Sequence, residues 1–95
     1  MALDPYTYLT LSMRPGEPSR VGVSFHTVEL RAHSWVGENG KPCFDLSTSE
    51  ATVTVSTAGP VTDQDLTIAR DLFNAAAHYL ADCERLHSAA ENEAA

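Results

Sequence analysis

The sequence predicts an α+β fold in which a four-stranded antiparallel β-meander is covered by one long C-terminal α-helix, giving two layers. Residues 6–57 contain short segments in which apolar and polar residues alternate, the period of a half-buried strand. Turn-forming residues separate these segments. Residues 61–87 then carry apolar residues at helical spacing. We therefore expect one domain over residues 1–95, with an ordered core of about 6–87 and tails at 1–5 and 88–95.

The first strand is predicted from the alternation of Leu9 and Leu11 with Tyr6 and Tyr8. The apolar residues should face the core and the tyrosines the other side. Because a strand at the start of a meander lies at the edge of the sheet, its backbone is open to pairing with another chain. Pro15-Gly16, which suits the centre of a type II turn, should end this segment.

A second, longer strand is predicted over residues 20–36. Its apolar residues change parity by one position around His26 and Thr27. A shift of this kind inside a strand is what a β-bulge or sharp bend produces. We therefore expect one strand that bends there and continues.

The third and fourth strands follow the strongest turn signal in the chain, Asn39-Gly40, which favours a two-residue type I′ hairpin. A hairpin centred there places Trp35 across from Phe44 as an aromatic cross-strand pair. His33 and Leu46 should lie on the same face. A last strand over residues 50–57 has valines on one face and threonines on the other.

The helix is predicted to begin after Thr62, whose hydroxyl suits the N-cap, with Asp65 three residues later completing a capping pair. At 1.5 Å per residue it would be about 40 Å long, more than a small sheet covers, so one end should overhang and need a partner. The small residues 75–77 favour close packing, either against the sheet or against a second helix. The apolar stripe consists of Leu66, Ala69, Leu72, Phe73, Ala76, Leu80, Cys83 and Leu86, bordered by Ile68 and Tyr79.

Composition limits the classes of partner. The chain has 6 Lys plus Arg and 13 Asp plus Glu, a formal net charge of −7. An acidic chain is repelled by nucleic-acid backbones and anionic membranes, so neither is expected as a direct partner, whereas a basic protein surface is. The acidic residues are dispersed, which is also typical of an ordinary solvated surface.

The sequence favours a cytoplasmic location. It contains no apolar run of membrane-spanning length and no signal-peptide pattern. Two cysteines do not make a disulfide framework, and in a reducing compartment they are most simply small core residues.

The candidate chemical sites are weak. Cys83 and His87 are four apart on one helix face, and Cys43 with a strand histidine such as His33 could complete a zinc site. No CxxC or HxxxH motif accompanies them, and no phosphate loop or nucleophile elbow is present. We therefore expect no bound metal, no cofactor and no catalytic residues, and the chain is not expected to be an enzyme.

Three hypotheses for function remain. The first is a non-enzymatic protein-interaction module, expected to be a homodimer. The second is an acidic inhibitor or decoy that blocks the basic nucleic-acid-binding surface of another protein. The third is a small metal-site protein or enzyme that uses the cysteines and histidines. The residues expected at a protein interface are Tyr6, Tyr8, Trp35, Phe44 and Tyr79.

Overall fold

The computed structural model describes residues 4–94, which form five strands and one helix, so the chain is α+β with antiparallel sheets. The strands and the helix fall into two units, the first ending at Ser56 and the second beginning at Thr57. Of the predicted tails, residues 1–3 and 95 lie outside the described residues. The elements are β1 (Tyr6–Ser12), β2 (Arg20–His26), β3 (Arg31–Val36), β4 (Pro42–Ser47), β5 (Thr52–Ser56) and α1 (Asp63–Ala94).

Strands β1 and β2 form a two-stranded antiparallel sheet. The loop between them contains the predicted type II turn, in which the Glu17 amide donates to the Arg14 carbonyl at 3.1 Å. Gly16 has a φ of 77°, which a side chain with a Cβ rarely adopts. Pro15 and Gly16 therefore occupy the two central positions of this turn, as the sequence predicts.

The long second strand of the sequence prediction is two strands in the structure. Strand β2 ends at His26, and the chain bends through residues 27–30 before β3 begins. The Thr27 hydroxyl accepts a 3.0 Å hydrogen bond from the Glu29 amide, a local contact that competes with pairing between strands. The parity change thus marks a break between two sheets, and the single four-stranded meander is not confirmed.

Strands β3, β4 and β5 form a three-stranded antiparallel sheet with β4 in the centre. The turn between β3 and β4 differs from the predicted type I′ turn, because Gly40 has a positive φ of 78° and Asn39 does not. The Gly40 amide donates to the Gly37 carbonyl, and the Gly37 amide donates to the Lys41 carbonyl. This is a three-residue loop closed by a glycine, and it shifts the strand register by one residue.

The helix begins with the predicted capping pair. The Asp65 amide donates to the Thr62 hydroxyl at 3.2 Å, and the Thr62 amide donates to the Asp65 carboxylate at 2.8 Å. Asp63 and Asp65 also place negative charge in the first turn, where the helix dipole favours it. The helix continues to Ala94, past the predicted end at residue 87, and is about 48 Å long.

Replacing the capping threonine should destabilise the protein measurably. We expect Thr62→Ala to lower the free energy of unfolding by about 1 kcal/mol, because one amide at the helix start loses its acceptor. The control is Thr67→Ala, whose hydroxyl only donates back to the Asp63 carbonyl and should change stability by less than about 0.5 kcal/mol. Urea unfolding at one fixed protein concentration measures both, and equal values for the two variants would contradict the capping role.

Candidate interaction surfaces

The hairpin of β1 and β2 has an apolar face. In the register of this sheet Leu9 pairs with Val23 and Leu11 with Val21, so these four side chains share one side. Their exposed fractions range from 40% for Val23 to 69% for Leu9. An apolar sheet face of this kind is normally packed against another surface.

The opposite face of the same hairpin carries the two predicted interface tyrosines. Tyr6 and Tyr8 lie two apart on β1 and are about half exposed. The Tyr6 ring stacks on His26 with centroids 4.4 Å apart. The sequence did not indicate this contact, because a loop of seven residues between the strands leaves their register undetermined. Among residues 4–94, β1 pairs only with β2, so its outer edge is a strand edge, as predicted.

In the three-stranded sheet the predicted Trp35 and Phe44 pair does not form. Trp35 faces Cys43 in the register, and Phe44 faces Ser34 on the other side of the sheet. The one-residue change in the turn is the cause, because successive residues of a strand point to opposite faces. His33 shares the face of Trp35, as expected, and their rings stack 5.2 Å apart, whereas Leu46 lies on the opposite face.

Phe44 lies on the apolar face of this sheet. It pairs with Val55, and the neighbouring Leu46 pairs with Val53. Phe44 and Leu46 are half-buried on the central strand, while the valines on the edge strand are more open. The other face carries His33 and Trp35 beside polar residues, and there the Thr54 hydroxyl donates to the Asp45 carboxylate at 2.7 Å.

The helix carries a stripe of apolar residues along one side, which we call the apolar helix face. Phe73 and Tyr79 are 73% and 72% exposed, and Leu80 and Leu86 are more than half exposed. The face is uncharged along its length. It consists of Leu66, Ala69, Leu72, Phe73, Ala76, Tyr79, Leu80, Cys83 and Leu86.

The aspartates, glutamates and arginines of the helix lie outside this face. Arg85 pairs with Asp82 at 3.5 Å, and His87 Nδ1 lies 3.3 Å from the Glu91 carboxylate. All four side chains are more than 60% exposed, so these pairs contribute little to stability. The helix is therefore amphipathic, with its acidic side directed away from the apolar helix face.

The candidate metal ligands are distributed over the chain. Cys43 and His33 lie in the three-stranded sheet, and Cys83 and His87 lie in the helix. Both cysteines are free thiols, and Cys43 lies 3.6 Å from the Ser56 hydroxyl. Within residues 4–94, no three His, Cys, Asp or Glu side chains come together in a way that could hold a metal ion.

Comparison of the chain with models of known protein families, with curated proteins and with solved structures finds no match. Among the described residues, no helix is long and apolar enough to cross a membrane.

Proposed function

We propose that this protein is a non-enzymatic protein-interaction module that acts as a homodimer through the apolar helix face. The observation that carries the proposal is the exposure of that face. Among the described residues, no apolar side chain is buried, and Phe73, Tyr79, Leu80 and Leu86 are each more than half exposed. Large contiguous apolar patches are uncommon on monomeric proteins and are typical of interaction sites.

Covering the apolar helix face with a partner is energetically favourable. The net stability of a domain depends mainly on apolar surface removed from water, at roughly 25 cal/mol per Å². A chain of 95 residues has little surplus, and side chains such as Phe73 and Leu80 contribute little while they remain exposed. Covering these side chains by a partner would supply stabilisation that the exposed helix lacks.

A second copy of the chain fits this surface for two reasons. The five large exposed side chains of the apolar helix face leave on the order of 600 Å² open per copy, so two copies would bury about 1,200 Å², the lower range of specific interfaces. The chain has a net charge of −7, but the face itself carries no charged residue between Leu66 and Leu86. Two copies can therefore meet there without bringing like charges into the contact.

The remaining surfaces suit a role as an interaction module. Tyr6 and Tyr8 on the edge of the hairpin, and Trp35 on the three-stranded sheet, present aromatic area that loses little conformational entropy on binding. We also propose a cytoplasmic location, in which the free thiols of Cys43 and Cys83 would stay reduced.

The mass of the chain in solution tests the proposal. We expect light scattering at micromolar concentration to give about twice the monomer mass of 10.3 kDa. A strict monomer at high micromolar concentration would overturn it. Salt-sensitive binding of that monomer to a basic protein would favour an acidic inhibitor or decoy instead.

A further inference from the structure

We infer that the two helices of the dimer pair antiparallel, in the register that places Phe73 against the partner's Cys83 and Leu80 against the partner's Ala76. The inference rests on the proposed homodimer and specifies its contact. It uses the helical span Asp63–Ala94, the sizes of the side chains on the apolar helix face and the charges beside it.

Two lines of residues with a seven-residue period run along the apolar helix face, and one of them continues past its end at Leu86. Leu66, Phe73 and Leu80 form a line of large side chains. A line of small side chains runs beside it, offset by three residues: Ala69, Ala76, Cys83 and Ala90. Spacings of three and four residues that repeat every seven place both lines along the seam of two supercoiled helices.

Side-chain size decides between the two directions of pairing. In a parallel pair each residue meets its own copy, so Phe73 would meet Phe73 and Ala76 would meet Ala76. Such layers alternate between crowding and gaps, and both overpacking and cavities destabilise a core. In an antiparallel pair each large residue meets a small one, so every layer has a similar volume and the helices can approach evenly.

The register follows from the charges beside the seam. When Phe73 faces the partner's Cys83, the numbers of any two residues that face each other across the seam add up to 156. Arg70 then lies beside the partner's Glu84, and the two-fold symmetry repeats this pair. Leu72 lies beside the partner's Leu86 on the other flank.

Shifted by one heptad in one direction, Arg70 would lie beside the partner's Ala77. Shifted by one heptad in the other direction, it would lie beside the partner's Glu91, but Leu66 would extend past the partner helix, which ends at Ala94. The inferred register therefore combines complementary charge with a facing residue for every large side chain.

Cysteine cross-linking tests the pairing in the full chain. In a Cys43→Ser, Cys83→Ser background, the double variant Ala69→Cys with His87→Cys places a thiol of each copy opposite a thiol of the other. Ala69→Cys alone is the matched control for direction, because its two thiols would be about 27 Å apart along an antiparallel pair and adjacent in a parallel one. Asn74→Cys, outside the apolar helix face, measures random collision.

We expect the double variant to form a disulfide-linked dimer about 100-fold faster than Asn74→Cys at about 10 μM protein, since facing thiols have an effective concentration in the millimolar range. Ala69→Cys alone should react at the rate of Asn74→Cys. Rapid cross-linking of Ala69→Cys alone would overturn the inference in favour of parallel helices. A dimer by mass in which no variant cross-links rapidly would overturn the pairing but leave the proposed homodimer, whereas a monomer by mass would overturn both.

Discussion

Phe73→Asp is expected to separate the dimer into monomers. Phe73 is the most exposed large side chain of the apolar helix face and lies near its middle. In the dimer the new carboxylate would be buried without a partner, a change that typically costs more than 2 kcal/mol at the centre of an interface. A homodimer contains the substitution twice, so the cost applies to both copies. The dissociation constant of the dimer should therefore rise by more than about 100-fold.

The matched control is Asn74→Asp, which adds the same charge one residue along on the polar side of the helix. Its dissociation constant should stay within about threefold of the unmodified chain, because an exposed charge contributes little. Light scattering over a concentration series measures both variants. Equal dissociation constants for Phe73→Asp and Asn74→Asp would show that the apolar helix face is not the contact.

Dilution is expected to reduce the helix content of the protein. Helix α1 contains 32 residues, and most of its large apolar side chains are exposed. Helices without tertiary packing are marginal in water, because most helical stability in proteins comes from burial of the apolar face. We therefore expect the circular-dichroism signal at the helical minimum to fall by about half when the chain is diluted below its dissociation constant.

The cross-linked variant with Ala69→Cys and His87→Cys supplies the control for dilution. Its two helices stay at high effective concentration whatever the total concentration, so its signal should not change. A helical signal of the unmodified chain that is also constant from high micromolar to nanomolar concentration would contradict a helix stabilised by dimerisation.

The features set by local chemistry could be predicted from the sequence. Thr62 and Asp65 accept hydrogen bonds from each other's backbone amides at the helix start. Because the two residues are only three apart, their sequence pattern alone predicts where the helix begins. Gly16 was predicted at its turn for a similar reason, since the conformation requires a residue without a Cβ. The helix end was harder to predict, because Ala-rich residues after His87 can either fray or continue.

The features that depend on register could not be predicted reliably. Asn39-Gly40 fits a two-residue turn, but it also fits a three-residue loop in which glycine alone takes a positive φ. The three-residue loop forms in the structure, and it places Trp35 and Phe44 on opposite faces of the sheet. The predicted pair of these two residues is therefore absent. The parity change near Thr27 was likewise compatible with a bulge or with a break between sheets.

The positions of the candidate interface residues in the fold were partly predictable. Periodicity placed Tyr79 beside the apolar stripe, and the structure shows it 72% exposed there. Tyr6 and Tyr8 share one face of an edge strand as expected. The stacking of Tyr6 on His26 needed the register of the hairpin, which sequence spacing does not fix.

Sedimentation of the unmodified chain over a concentration series, at low and at high salt, tests the central claim most directly. We expect a dimer whose dissociation constant is unchanged or smaller at high salt, because the contact is apolar and salt screens the repulsion between two chains of charge −7. A monomer at every concentration, or a dimer that dissociates as salt is raised, would contradict an apolar contact through the helix.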